Sequence, residues 1–186
     1  MVTVMSLWLP ILVSAVIVFV ASAIIHMVLP YHRSNFGKVP AEDGVMEALR
    51  KFSIPAGDYM LPSAGSPDAM KDPAYKAKLK QGPVVLMTVL PSGGYTMGRN
   101  LFVWFLFCLG VSVIAAYVTG RAVGAGTRYL EVFRFAGVTS FIAYALAQWQ
   151  ESIWHQRKWS TTFKHTFDGL VFGLLTAGTF GWLWPN

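Results

Sequence analysis

The sequence predicts an all-α membrane protein: four transmembrane helices, with a small mixed α/β insert on the cytoplasmic face between helices 1 and 2. Three observations predict it. Of 186 residues, 54% are hydrophobic and only 13% charged, roughly half the charged share of an average soluble domain. The apolar residues gather into four runs of about 20, the length that a helix rising about 1.5 Å per residue needs to cross the hydrocarbon core. The charged residues fall almost wholly between those runs.

The first region, residues 1–30, holds the run Leu7–Leu29, which Pro30 closes. Within it Ala21-Ser22-Ala23 has the small-residue form of a signal-peptidase site. No Lys or Arg precedes it and the apolar run continues beyond it, so the expectation is a retained helix. Residues 31–99 form the insert. Pro40 followed by Glu42 and Asp43, with Arg50 and Lys51 further on, matches the charge order of a short helix. Val45, Met46, Leu49 and Phe52 give that helix an apolar stripe, expected to pack on the protein's own helices or lie at the lipid interface. Asp72-Pro73 opens a second short helix with a basic end. Pro83 to Pro91 encloses an apolar stretch too short to span and rich in β-formers, expected to pair as a strand with the region of Tyr59, or else to form a re-entrant or interfacial piece. Residues 100–186 carry the remaining three runs, at about 101–119, 132–150 and 167–184. Trp149, Trp154, Trp159, Trp182 and Trp184 lie near run ends, as in an interfacial aromatic belt.

Basic residues set the orientation. The insert has nine, and the link between the third and fourth runs has Arg157, Lys158 and Lys164. The opposite side has Arg121, Arg128 and Arg134. The positive-inside rule therefore puts residues 31–99 in the cytoplasm and both termini outside. With no eukaryotic targeting signal, the expected setting is a bacterial inner (cytoplasmic) membrane. The net charge of +6 follows from these loops. No basic, aromatic groove or RNA-binding signature accompanies it, which excludes nucleic acid as a partner. Cys108 is the one cysteine, so neither an intramolecular disulfide nor a CxxC site exists.

The last run carries Gly169, Gly173, Ala177 and Gly181 at four-residue intervals, a ridge that lets another helix approach closely. The partner helix is expected within the chain, or else in another subunit or a second copy.

Polar residues at membrane depth are costly and mark sites. His26 lies near the end of helix 1, Gln148 and Glu151 close the third run, and Asp168 opens the fourth. All the histidines, His26, His32, His155 and His165, map to one membrane face. Glu151 and His155 are four apart and His165 and Asp168 three apart, so each pair shares a helix face. Together those four residues are candidate ligands for zinc or iron, which accept imidazole and carboxylate. Against a metal stand the lack of HExxH and of the paired Glu-x-x-His of di-iron bundles, and the ease with which interfacial ion pairs explain the same residues.

No GxSxG elbow, Walker A loop or GxGxxG opening a helix occurs. The leading expectation is accordingly non-enzymatic: a structural, accessory or scaffold subunit, in lipid, using helix 4 or the insert to hold a protein partner, with no cofactor. The rival is a metal-dependent membrane enzyme working at the cytoplasmic interface. A small transporter or channel ranks third, because no helix carries a mid-bilayer charge.

Overall fold

A computed structural model describes every residue except Tyr95. It divides into two compact units, Met1–Gly37 with Met97–Asn186, and Lys38–Thr96.

In the first unit, a 3-10 turn at Val4–Leu7, α1 (Trp8–Ala23) and a π-helical turn at Ile24–Val28 follow one another without a break. A second 3-10 segment, Pro30–Asn35, follows. Beyond the insert come α4 (Met97–Ala122) and α5 (Tyr129–Ala145), a 3-10 turn at Leu146–Gln148, α6 (Trp149–Trp154) and α7 (Trp159–Trp182). Three stretches are long and apolar enough to cross a membrane: Val4–Val28, Met97–Ala122 and Tyr129–Trp154. Their outward faces carry exposed Val16, Val20, Phe102, Ile114, Val138 and Ile142, a surface that only lipid covers without cost. The helix at the fourth run, α7, begins eight residues earlier than the apolar run, at Trp159 against Phe167, and so takes Lys164 and His165 into the same helix as Asp168.

Small side chains set the interior. Ala15, Ala115, Ala116, Ala136, Ala145 and Ala177 are fully buried, so helix axes lie close and van der Waals contact replaces the hydrophobic drive that lipid does not supply. The clearest case is α5 against α7. A Cβ on Gly169 would stand 2.7 Å from the Ala145 Cβ, one on Gly173 would stand 3.2 Å from the Phe141 Cβ, and one on Gly137 would stand 3.0 Å from the Ala177 Cβ. The ridge of α7 thus meets positions 145, 141 and 137 of α5, also four apart, in an antiparallel ladder. Its last member, Gly181, faces the Tyr129 ring. Polar ties add to the packing. Ser14 Oγ donates to Ser112 Oγ (3.0 Å), and Trp104 Nε1 donates to Ser22 Oγ (2.7 Å), both joining α1 to α4. At the far end Trp184 Nε1 donates to the Gly124 carbonyl (2.9 Å).

The second unit holds α2 (Glu42–Lys51), β1 (Gly57–Leu61), α3 (Pro73–Gln81) and β2 (Val85–Val89). Asp72 caps α3 by accepting from the Ala74 amide, with Pro73 in the first turn where no amide partner is lost. The strand expected between Pro83 and Pro91 forms, antiparallel to β1 with Tyr59 opposite Met87. The stripe of α2 (Val45, Met46, Leu49, Phe52) is exposed within this unit. Residues 31–37, which the sequence places in the insert, fall in the first unit.

Candidate metal centre

Three local features assemble a polar cluster where α1 ends and α7 begins. The π-helical turn at Ile24–Val28 widens the last turn of the first span and carries His26. Such turns recur at functional sites because they re-aim a side chain that regular winding would place elsewhere. Pro30 cannot continue the helix and opens the tight segment bearing Tyr31 and His32. In α7, His165 and Asp168 are three apart on one face.

Lys164 joins the two chain segments. Its ammonium donates to the Tyr31 carbonyl (2.6 Å), Ser34 Oγ (2.7 Å) and Asn35 Oδ1 (3.3 Å). All three acceptors belong to the segment that carries His32, so a cation of α7 gathers that segment onto the face bearing His165 and Asp168.

Asp168 is the centre. Its side chain is 2% exposed, and a carboxylate at such depth is costly unless paired. Tyr31 donates its hydroxyl to Oδ1. Around Oδ2 stand three imidazole nitrogens: His32 Nε2 at 2.9 Å, His165 Nδ1 at 3.7 Å and His26 Nε2 at 4.0 Å. One ligand atom from each of the four residues lies within 4.8 Å of all the others. His32 is 9% exposed, and its Nε2 lies in direct contact with the buried Asp168 Oδ2.

Protonation fits this arrangement. Burial pushes His32 below its usual range, outweighing the attraction of Asp168, so the ring stays in the neutral form a metal needs. Burial, reinforced by the Asp168 hydrogen bond and charge, pushes the Tyr31 hydroxyl up, which keeps it a donor. His26 Nδ1 lies 3.0 Å from the Ser22 carbonyl. A carbonyl only accepts, so the proton of the neutral ring sits on Nδ1 and the Nε2 lone pair is free.

Of the four ligand candidates named from the sequence, the structure gathers His165 and Asp168. It does not bring Glu151 and His155 to them. These two bond each other along α6 (His155 Nδ1 to Glu151 Oε2, 3.2 Å) with solvent-facing side chains. In their place stand His26 and His32. The sequence signal for those two was the mapping of all histidines to one membrane face.

The chain matches no protein-family model, and comparison with curated proteins and with solved structures finds no significant similarity.

Proposed function

We propose that this protein is a four-span membrane protein that binds a transition metal where α1 and α7 meet, on the side of the insert. One observation carries the reading: a deeply buried carboxylate and three imidazoles each offer a ligand atom within 4.8 Å of all the others. Such a cluster is a donor set for zinc or iron(II). Calcium and magnesium, which take all-oxygen shells, suit it poorly. A metal on His32 Nε2 requires the proton on Nδ1. A half-turn of the Asn35 amide, whose nitrogen now lies 2.9 Å from Nδ1, would present its oxygen there, and Lys164 would keep its other two acceptors.

The wider setting extends the sequence reading. With α7 as a fourth span, the basic insert faces the cytoplasm of a bacterial inner membrane and both termini lie outside. A membrane enzyme using this metal becomes the first reading because four candidate ligands meet in one cluster; the α7 ridge is occupied by α5, which leaves the insert as the surface a scaffold would use.

The test is metal content per chain after purification without chelator, measured by mass spectrometry. Wild type should carry close to one zinc or iron, and Asp168→Asn and His32→Ala should carry almost none, because losing one ligand leaves an incomplete sphere. A wild type that takes up no metal when reconstituted with zinc or iron(II) would return the protein to the scaffold reading.

A further inference from the structure

The four candidate ligands are not equivalent, and the difference bears on what the metal can do. The His26 and His32 rings are stacked, with centroids 4.4 Å apart and planes 11° from parallel. An imidazole binds a metal in its own plane, at about 2.0–2.1 Å from nitrogen. Planes so nearly parallel meet only far from both rings, so the two cannot serve one ion while the stack holds. One must turn, or one is not a ligand.

The surroundings say which. His32 is 9% exposed and sits against Asp168, whereas His26 is 42% exposed and its Nε2 is the most distant of the three from Oδ2. Turning His26 would break its Nδ1 bond to the Ser22 carbonyl. Ser22 is itself held, because its hydroxyl donates to the Phe19 carbonyl and accepts from Trp104. His165 lies at 30° to His32. No hydrogen bond among the described residues ties its ring, so the soft torsion at its Cβ–ring bond can swing Nδ1 into line.

We infer, resting on the metal reading above, that the centre is open: His32, His165 and Asp168 hold the ion, and the remaining position faces the partly exposed His26. That is the pattern of catalytic rather than structural metal sites, with three protein ligands and one exchangeable place. The ligand class is a small molecule or anion with a lone pair for the metal; one that also carries a hydrogen, as water does, can donate it to His26 Nε2, which the Ser22 bond keeps as an acceptor. Water would fill the place at rest, and a small anion would replace it. The partly exposed His26 edge leaves the approach to that place open, whereas a fourth protein ligand would close it.

The probe is cobalt(II), whose visible spectrum reports its ligands, loaded into the full chain in detergent, with azide as the exchangeable ligand. Wild type should load about one equivalent and change its spectrum saturably with azide. His26→Phe, which keeps a ring on His32 but offers no donor, should still load about one equivalent, with His26→Ala as a second variant. A fully loaded wild type whose spectrum azide leaves unchanged would overturn the open centre, as would failure of both variants to load, which would make His26 a ligand. A wild type that takes up no cobalt overturns the metal reading itself, so the two failures are distinct.

Discussion

The antiparallel ladder between α5 and α7 predicts a graded response to a single methyl group. Gly169→Ala, Gly181→Ala and Gly178→Ala make the same chemical change on one helix, so the gain in helix propensity of about 0.5–1 kcal/mol is common to all three and cancels on comparison. What differs is what the methyl meets. At Gly169 it lands 2.7 Å from the Ala145 Cβ and 3.1 Å from the Ala145 Cα and amide nitrogen, atoms that move only if a helix moves. At Gly181 it lands 2.7 Å from the Tyr129 ring edge, but that ring is 46% exposed and can swing aside. At Gly178 the nearest atom is the Tyr129 hydroxyl at 3.6 Å, an ordinary contact. Overpacking against backbone costs about 1–3 kcal/mol. Gly169→Ala should therefore fall below Gly178→Ala by that amount, with Gly181→Ala close to Gly178→Ala. At about 2–4 °C per kcal/mol for a chain of this size, the gap in melting temperature is about 2–12 °C. Thermal unfolding of the three variants in one detergent, followed by tryptophan fluorescence, reads it. Equal melting temperatures for Gly169→Ala and Gly178→Ala would mean that α7 does not meet α5 through this ridge.

Further outcomes follow from the cluster and from the topology. Tyr31→Phe removes the donor to Asp168 Oδ1 and strands part of a buried carboxylate. Hydrogen bonds to charged groups are worth about 1.5–3 kcal/mol, so the metal-free variant should melt several degrees below wild type, and an unchanged midpoint would refute the bond. Without metal, His32 should also make stability depend on pH. His26, His165, Asp168 and Lys164 surround it, but burial dominates and lowers its affinity for protons. The unfolded chain then binds more protons below about pH 6.5. Stability is complete above that value and falls as the pH drops beneath it. In EDTA, wild type should lose midpoint temperature between about pH 6.5 and 5 more steeply than His32→Gln, and parallel curves would refute this. Single cysteines at Ser66 and Ala125, in a Cys108→Ala background, should label from opposite sides of intact cells. Labelling of both by an impermeant reagent would exclude four spans.

The sequence made legible whatever depends on regular periodicity, and it failed where periodicity breaks. The three helices long and apolar enough to span follow from apolar run length, the strand opposite Tyr59 from β-formers between two prolines, and the α7 ridge from small residues four apart. His165 and Asp168 fall together because α7 is regular through both. Glu151 and His155 are also four apart, and that spacing holds, but a 3-10 turn between α5 and α6 shifts the helical phase before it reaches them. The chain leaves α-geometry at Leu146–Gln148 and resumes as α6, which turns the pair toward solvent instead of toward α7. The two histidines that do reach Asp168 sit on the other irregular pieces, the π-helical turn at Ile24–Val28 and the segment Pro30–Asn35. The regular 100° per residue of α1 does not carry through to position 32, because the π turn and Pro30 interrupt it. The decisive residue for that segment, Lys164, stands four residues before Asp168, a spacing that suits an ion pair within α7. In the structure it spends its donors on carbonyl and side-chain oxygens of the segment carrying His32. An ion pair within α7 would have quenched the carboxylate. By turning Lys164 away, the fold leaves Asp168 facing three imidazoles, and that is the arrangement on which the metal proposal rests.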